Sequence, residues 1–250
     1  MTLDINKIKS EFQRIKSLDY IKNIKERHHD GSPGNTFESA LGVRENNLKD
    51  PDFEGFEVKT KKKLSSSWIS MFTKRPDSPE NGDNYMRENW GINDEEYSHH
   101  KVFRTSLYAN TWSTVYQIYK MKILVNNNKE RIQIIKADLN EKITDESVYW
   151  EFDTINEGVK KLHNTFIVNY EIKEDSGTYY YKYTNAVVLL NYIGDKNFLD
   201  LINDKTIRYD NRLGIYRSGE KKGQLHNHGG GFRANPSKIA NLFNTKIELS

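Results

Sequence analysis

Three stretches of this chain share one arrangement: apolar and polar residues alternate on both sides of a short cluster of turn-forming residues. MKILV and RIQIIKA flank NNNKE, FIVNYEIK and YYYKYTNAVVLL flank EDSGT, and LGIYRSGEKKGQL folds back about its glycines. A period of two sends successive side chains to opposite faces of a strand, so each stretch predicts a hairpin. FEGFEVKT and WISMFT read as further strands. Around them lies helical spacing. Ile5, Ile8, Phe12 and Ile15 predict an amphipathic helix with Asp4 as its N-cap, ending near Ser17 to Asp19. DGSPGN reads as a turn, and TFESALGVREN as a second helix capped by Asn35 or Thr36. Short helices are expected over 155–163 and 236–244. Residues 75–98, polar with two prolines, read as a long loop. No repeat or clean linker is visible, and the fold class is mixed α and β (α+β).

Composition narrows the function classes. Of 250 residues, 36% are hydrophobic, enough for a core. No apolar run is long enough to span a membrane, and the first residues carry no apolar signal stretch. A soluble cytoplasmic protein with no membrane partner is expected. The absence of cysteine excludes disulfides and thiolate metal sites. A net charge of +3 says little by itself. Its distribution says more, because basic residues gather at Lys59 to Lys63, at Lys160 and Lys161, and from Arg208 to Lys222.

The stretch DPDFEGFEVKTKKK, residues 50–63, runs acidic residues straight into lysines. Glu57 and Lys59 fall on one face of the predicted strand. Phosphodiester hydrolysis uses a divalent metal held by carboxylates and a cation near the phosphate, and Asp52, Glu57 and Lys59 are the right groups for it. Glu38, placed in the first turn of the second helix, can bring a third carboxylate. Plainer readings stand beside these. Glu57 and Lys59 can be the solvated face of an edge strand, and Glu38 an acid favoured by the helix dipole. Glu-x-Lys occurs twice more, as Glu171 to Lys173 and Glu220 to Lys222. The former sits on a predicted strand with no preceding Asp, the latter in a turn.

The other unusual stretch is YDNRLGIYRSGEKKGQLHNHGGGFR, residues 209–233. Asp210 and Arg212 share a strand face, as do His226 and His228. Arginine reads guanine through two hydrogen bonds, a carboxylate accepts from cytosine and histidine donates to a base acceptor, so the hairpin suits the DNA major groove. A metal pair at His226 and His228, closed by Asp210, and a plain surface hairpin are the competing readings. The three adjacent letters HNH carry no weight. Gly229 to Gly231 allow close backbone approach to a ligand, or simply a bend.

GNTFE at 34–38, DPDFEGFEVKT at 50–60, MFTKRP at 71–76, VYWEFD at 148–153, YYKY at 180–183 and LGIYRSGEKKGQLHNHGGGFR at 213–233 follow one another in an order that resembles the MvaI/BcnI family of type II restriction endonucleases, within the MutH-like group of PD-(D/E)xK nucleases. One departure is HHDGSPGN, which lacks the Gly-Ile-Gly frequent in relatives. The resemblance implies a restriction-endonuclease-like core, a mixed sheet flanked by helices. It implies one two-lobed nuclease over 1–250 whose lobes form a DNA-binding cleft. The metal and catalytic centre would lie within 34–75 and the base-recognition hairpin within 206–233. It implies Mg²⁺, as one or two ions with Mn²⁺ able to substitute, held by Glu38, Asp52 and Glu57, with Lys59 catalytic. It also implies base contacts from Asp210, Arg212, His226, His228 and Arg233, while Lys61 and Lys62 would hold the DNA backbone. Double-stranded DNA is the implied partner of a monomer that cuts a short, GC-rich, pseudosymmetric site alongside a cognate DNA methyltransferase. A nicking enzyme of the MutH mismatch-repair type, a sequence-specific DNA-binding protein without cleavage, and a His-x-His metalloprotein are the rivals.

Overall fold

Asp4 opens the first helix as its sequence predicts: its Oδ1 accepts from the amide of Lys7 at 2.9 Å. A computed structural model describes residues 4–25, 28–29, 31–43, 51–64, 67–227 and 230–250. In chain order the elements are α1 Ile5–Ser17, β1 Tyr20–Lys22, α2 Ser32–Ala40, β2 Glu57–Lys62, β3 Ile69–Thr73, α3 Gly82–Trp90, β4 Ile92–Asn93, β5 Lys101–Leu107, β6 Ser113–Val115, β7 Tyr119–Asn126, β8 Arg131–Ala137, β9 Ile143–Asp145, β10 Tyr149–Glu151, α4 Phe152–Val159, β11 Asn164–Asp175, β12 Thr178–Tyr192, α5 Asp195–Asn203, β13 Ile207–Ile215, β14 Leu225–Asn227, β15 Gly231–Ala234 and β16 Phe243–Leu249. They form two compact units, one of residues 1–69, 160–193 and 236–250, the other of 70–159 and 194–235.

The first unit is built on a mixed sheet in the order β1-β12-β11-β2, with β16 also on β12. The hairpin predicted about EDSGT is β11 and β12. β2 runs parallel to β11, from Glu57 opposite Thr165 to Lys62 opposite Tyr170. It is the last strand on its side. α1 and α2 cover one sheet face, where Ile8, Phe12, Ile15 and Phe37 pack on Val58, Phe166, Val168 and Val188. Phe37 and Phe166 are wholly buried, and each such side chain contributes about 1.5–3 kcal/mol. The second helix starts earlier than predicted. Pro33 sits in its first turn, where a missing N–H costs nothing. Glu38 is therefore near the C-terminal end, where the dipole disfavours an acid, so the dipole does not account for it. Arg44 to Asn46, the predicted end of that helix, lie outside the described residues.

The second unit holds two sheets. β7 and β8 form the hairpin about NNNKE, in the order β10-β8-β7-β6 with β9 on β8. The other runs β3-β15-β13-β5-β4, with β14 beside β13. β14 and β15 pair with successive parts of β13, so the third predicted hairpin is present. One face of this sheet is apolar: Phe103, Leu107, Tyr209, Leu213 and Phe232 are buried, with Trp150 4.8 Å from Tyr209 and Phe72 5.3 Å from Phe232, centroid to centroid. α4 approaches closely through Gly158, where a Cβ would lie 2.5 Å from the Phe72 ring.

Two expectations need correction, and a third is refined. The loop over 75–98 contains α3, whose buried Met86 and Trp90 are one helical turn apart within a polar run. Two apolar residues were too few to show the period. The helix over 155–163 is α4 followed by a 3-10 turn at Lys160–His163. The helix over 236–244 is a 3-10 turn at Ile239–Leu242, after which Phe243, Ile247 and Leu249 belong to β16, paired with β12.

Charge holds the tip of the third hairpin. Arg217 donates Nη1 to Asp94 Oδ1 at 2.9 Å and to Glu96 at 3.1 Å, and Nη2 to Asp94 Oδ2. Asp94 is 4% exposed, and its Oδ1 also accepts from the amides of Glu96 and Tyr97. The Arg217 hydrogen bond, against the opposing effect of burial, holds its carboxyl down at about 2. An unfolded Asp titrates near 3.9, so the folded state binds protons less readily. The resulting stabilisation is complete above about pH 4 and disappears as pH falls through about 2. In urea titrations across a pH series, Asp94→Asn should flatten the acid limb of the stability curve in that window. An unchanged acid limb would remove Asp94 as its source.

Candidate functional site

Asp52 reaches the strand by way of a tight turn. Phe53 and Phe56 exchange backbone hydrogen bonds of 3.0 and 2.7 Å across Glu54 and Gly55, whose φ angles are 47° and 81°. Both are left-handed, the arrangement of a two-residue hairpin turn in which glycine is at home. This folds Asp52 back so that its Oδ2 accepts from the amide of Val58 at 2.8 Å. One carboxylate is thereby fixed beside the backbone between Glu57 and Lys59.

Glu57 and Lys59 project from the β2 face opposite Phe56 and Val58. The reading of an edge strand is right, since β2 ends its sheet, but that of a solvated face is not. Glu57 is 2% exposed, and the 3-10 turn at Lys160–His163 packs against β2. Lys59 Nζ donates to Glu57 Oε1, with the two side chains 20% and 3% exposed. A carboxylate buried this far is costly unless a cation meets it, and here the ammonium does so.

The other sequence candidates are distributed around this pair. Glu38 Oε1 and Thr60 Oγ1 both lie close to Gly34, 3.8 and 3.5 Å from where its Cβ would be. Glu38 thus approaches β2 near Thr60. Among the described residues no three Asp, Glu or His side chains converge as a metal-binding group. The two carboxylates associated with β2 nevertheless fit a hard divalent ion, which takes one or two protein carboxylates and completes its shell with water and phosphate oxygens. Lys61 is half-buried and Lys62 exposed. Lys63 is engaged by Glu171 at 2.6 Å, so the second Glu-x-Lys is an exposed ion pair on β11. The third, Glu220 to Lys222, is in the turn expected for it.

In the second unit, β13 carries Arg208, Asp210, Arg212 and Gly214 on the face opposite the apolar one. Partners directly across an antiparallel pair share a face. Arg233 is opposite Arg208, Arg104 opposite Arg212 and His226 opposite Gly214. Asp210 is 6% exposed. Arg208 Nε is 2.7 Å from its Oδ1, while Arg208 Nη2 and Arg233 Nε are 3.0 and 3.2 Å from Oδ2. Its carboxylate therefore fixes two guanidiniums. Arg208 Nη1 also donates to Tyr108 Oη at 3.2 Å. Beyond Arg212, His226 packs edge-on to Tyr216 with centroids 5.0 Å apart. Its strand is held by α3, where buried Arg87 donates to the His226 carbonyl at 2.9 Å and Asp83 accepts from Asn227 at 2.7 Å. His228 and Gly229 lie outside the described residues.

Sequence reasoning missed Arg104, Arg208, Asp83 and Arg87 as parts of this face or its support. Two of them had a visible signal. KVFRTSL alternates Phe103, Thr105 and Leu107 against Arg104, and Arg208 stands two residues before Asp210 on the same strand face. Asp83 and Arg87 had none, because the helix that carries them was read as loop.

A search of curated proteins finds no match. The similar solved structures include two of restriction endonuclease MvaI. One is a complex of restriction endonuclease MvaI with its cognate DNA substrate, 27% identical, covering 100% of both chains with a TM-score of 0.90. The other is MvaI in the absence of DNA, 26% identical, covering 100% of this chain and 99% of that one with a TM-score of 0.61. The MvaI/BcnI restriction endonuclease family matches residues 9–243. With the match extending over nearly the whole chain, and the strand bearing Glu57 and Lys59 inside it, the protein belongs to the MvaI/BcnI restriction endonuclease family.

Proposed function

We propose that this family member cuts both strands of duplex DNA at a short, GC-rich, pseudosymmetric site in a Mg²⁺-dependent hydrolysis. The observation that carries the reading is Glu57, a carboxylate buried on an edge strand, paired with Lys59 and flanked by an Asp52 tied to the same strand. A purely structural strand gains little from burying a charge there. The MvaI structure solved with its cognate DNA supports duplex DNA as the partner.

Asp52 and Glu57 are the proposed ligands, and Mn²⁺ accepts the same oxygen donors. Bound there, one ion or two would neutralise phosphate charge and lower the pKa of a water. Lys59 would face the scissile phosphate and stabilise the negative charge that grows on its oxygens as water attacks phosphorus and the P–O bond to the leaving oxygen breaks. Glu38, which approaches β2 near Thr60, is the third proposed ligand. On the second unit, Arg212, Arg233, His226 and His228 are the proposed base readers. Asp210 would act chiefly by holding the forks of Arg208 and Arg233 ready for guanine, which is consistent with a GC-rich site. Lys61 and Lys62 would grip phosphates. The enzyme would work as a monomer in the cytoplasm beside a methyltransferase that protects host DNA.

Lys59→Ala should lower cleavage by roughly 100-fold or more, while affinity for the cognate duplex in Ca²⁺ stays close to wild type, because the lysine acts mainly in the transition state. A supercoiled-plasmid digest in Mg²⁺ measures the rate, and linear rather than nicked product separates double-strand cutting from nicking. Near wild-type cutting by the variant would move the active site elsewhere, and cutting in excess EDTA would eliminate the metal.

The two units are expected to divide specificity from grip. Arg233→Ala should cost roughly 1–3 kcal/mol on the cognate duplex and much less on a scrambled one. Lys62→Ala should weaken both about equally and reduce the salt slope by about one. Titrations of both duplexes across a salt series make the comparison. Equal losses for Arg233→Ala on the two duplexes would mean that its face only grips phosphate.

A further inference from the structure

Arg104 stands in an unfavourable place for a protein alone. It lies directly opposite Arg212 across the antiparallel β5–β13 pair, and like charges in that position repel. Arg208 and Arg233, on the same face, share the Asp210 carboxylate. Arg104 has no such relief: among the described residues its guanidinium makes no ion pair or hydrogen bond, and the residue is exposed.

Its backbone is nevertheless held in position. β4 covers the outer edge of β5 only as far as Val102. At Arg104 the hydroxyl of Tyr116 takes over, accepting from the Arg104 amide at 2.8 Å. The side chain then crosses β13 at Gly214. A Cβ there would be 2.6 Å from Arg104 Nη2 and 2.7 Å from the His226 ring. Glycine leaves this space open, and the guanidinium and imidazole meet over it. The arrangement directs an uncompensated fork of donors to the same point as His226.

We propose that Arg104 is a further specificity-determining residue, which delivers its guanidinium to a paired acceptor edge in the major groove, the O6 and N7 atoms of a guanine. A polyanion removes the repulsion from Arg212, and a base edge supplies the two acceptors that the fork matches. This rests on the reading of the β13 face as the base-reading surface. It adds a contact from β5.

The test measures binding of Arg104→Ala, Arg104→Lys and Arg212→Ala to cognate and scrambled duplexes by fluorescence anisotropy in Ca²⁺. For Arg104→Ala the expected result is a loss of roughly 5- to 150-fold on the cognate duplex, with at most a few-fold loss on the scrambled one. Arg104→Lys should not recover it, because a point charge lacks the fork. Equal losses on both duplexes, full rescue by lysine, or no loss would each overturn the proposal. If Arg212→Ala lowers cognate affinity while Arg104→Ala does not, only the role of Arg104 falls. If neither does, the reading of the whole face falls with it. Circular dichroism of each variant confirms that the fold is retained, which an exposed position makes the expected outcome.

Discussion

Burying a carboxylate at the edge of a sheet has to be compensated locally, and much of the first unit is arranged around that requirement. Glu57 is nearly inaccessible, yet its strand has a neighbour on one side only. The parallel ladder to β11 holds the backbone, and Phe56 and Val58 anchor the opposite face in the core under α1 and α2. Asp52, returned by the left-handed turn at Glu54 and Gly55, binds the Val58 amide. Lys59 completes the set by bringing a positive charge to Glu57. Each neighbour of Glu57 thus has a structural duty, and together they place two carboxylates and an ammonium along one short strand.

The second unit solves a related problem with the signs reversed. Its β13 sheet carries aromatic and aliphatic side chains on one face and guanidinium groups on the other. Asp210, itself buried, holds two of these groups in fixed orientations. Preorganised forks lose little entropy when they meet a planar pair of acceptors. α3 and the Asp94 turn act on the same hairpin from behind, one through the His226 carbonyl and the other through Arg217.

Much of this was legible in the sequence where a short period governs the chain. The three hairpins, α1 with its Asp4 cap, and β2 with its Glu57 and Lys59 all follow from alternation or from spacings of three and four. What escaped depends on few residues or on tertiary pairing. α3 shows only Met86 and Trp90 to the core amid polar neighbours. Pro33 moved the start of α2 forward, which put Glu38 at the wrong end of the helix for the dipole to explain. β16 became a strand because β12 had an open side there. Spacing showed that Asp210 shares a face with Arg212, but not that Arg208 and Arg233 occupy its oxygens, since that contact is formed across strands. The decoy at Glu171 was distinguishable by its missing Asp, and its exposed pairing with Lys63 agrees.

The divalent metal proposed at Asp52 and Glu57 can be located directly. Fe²⁺ prefers similar ligands, and with ascorbate and peroxide it cuts a polypeptide next to the site where it is bound. Mass spectrometry of the fragments then maps the metal. The expected breaks are confined to the chain around residues 52–59 and its close neighbours, suppressed by excess Mg²⁺ and lost in the Asp52→Ala, Glu57→Ala double variant. Breaks centred instead on Glu171 to Lys173 or on the His226 strand, insensitive to Mg²⁺, would contradict it.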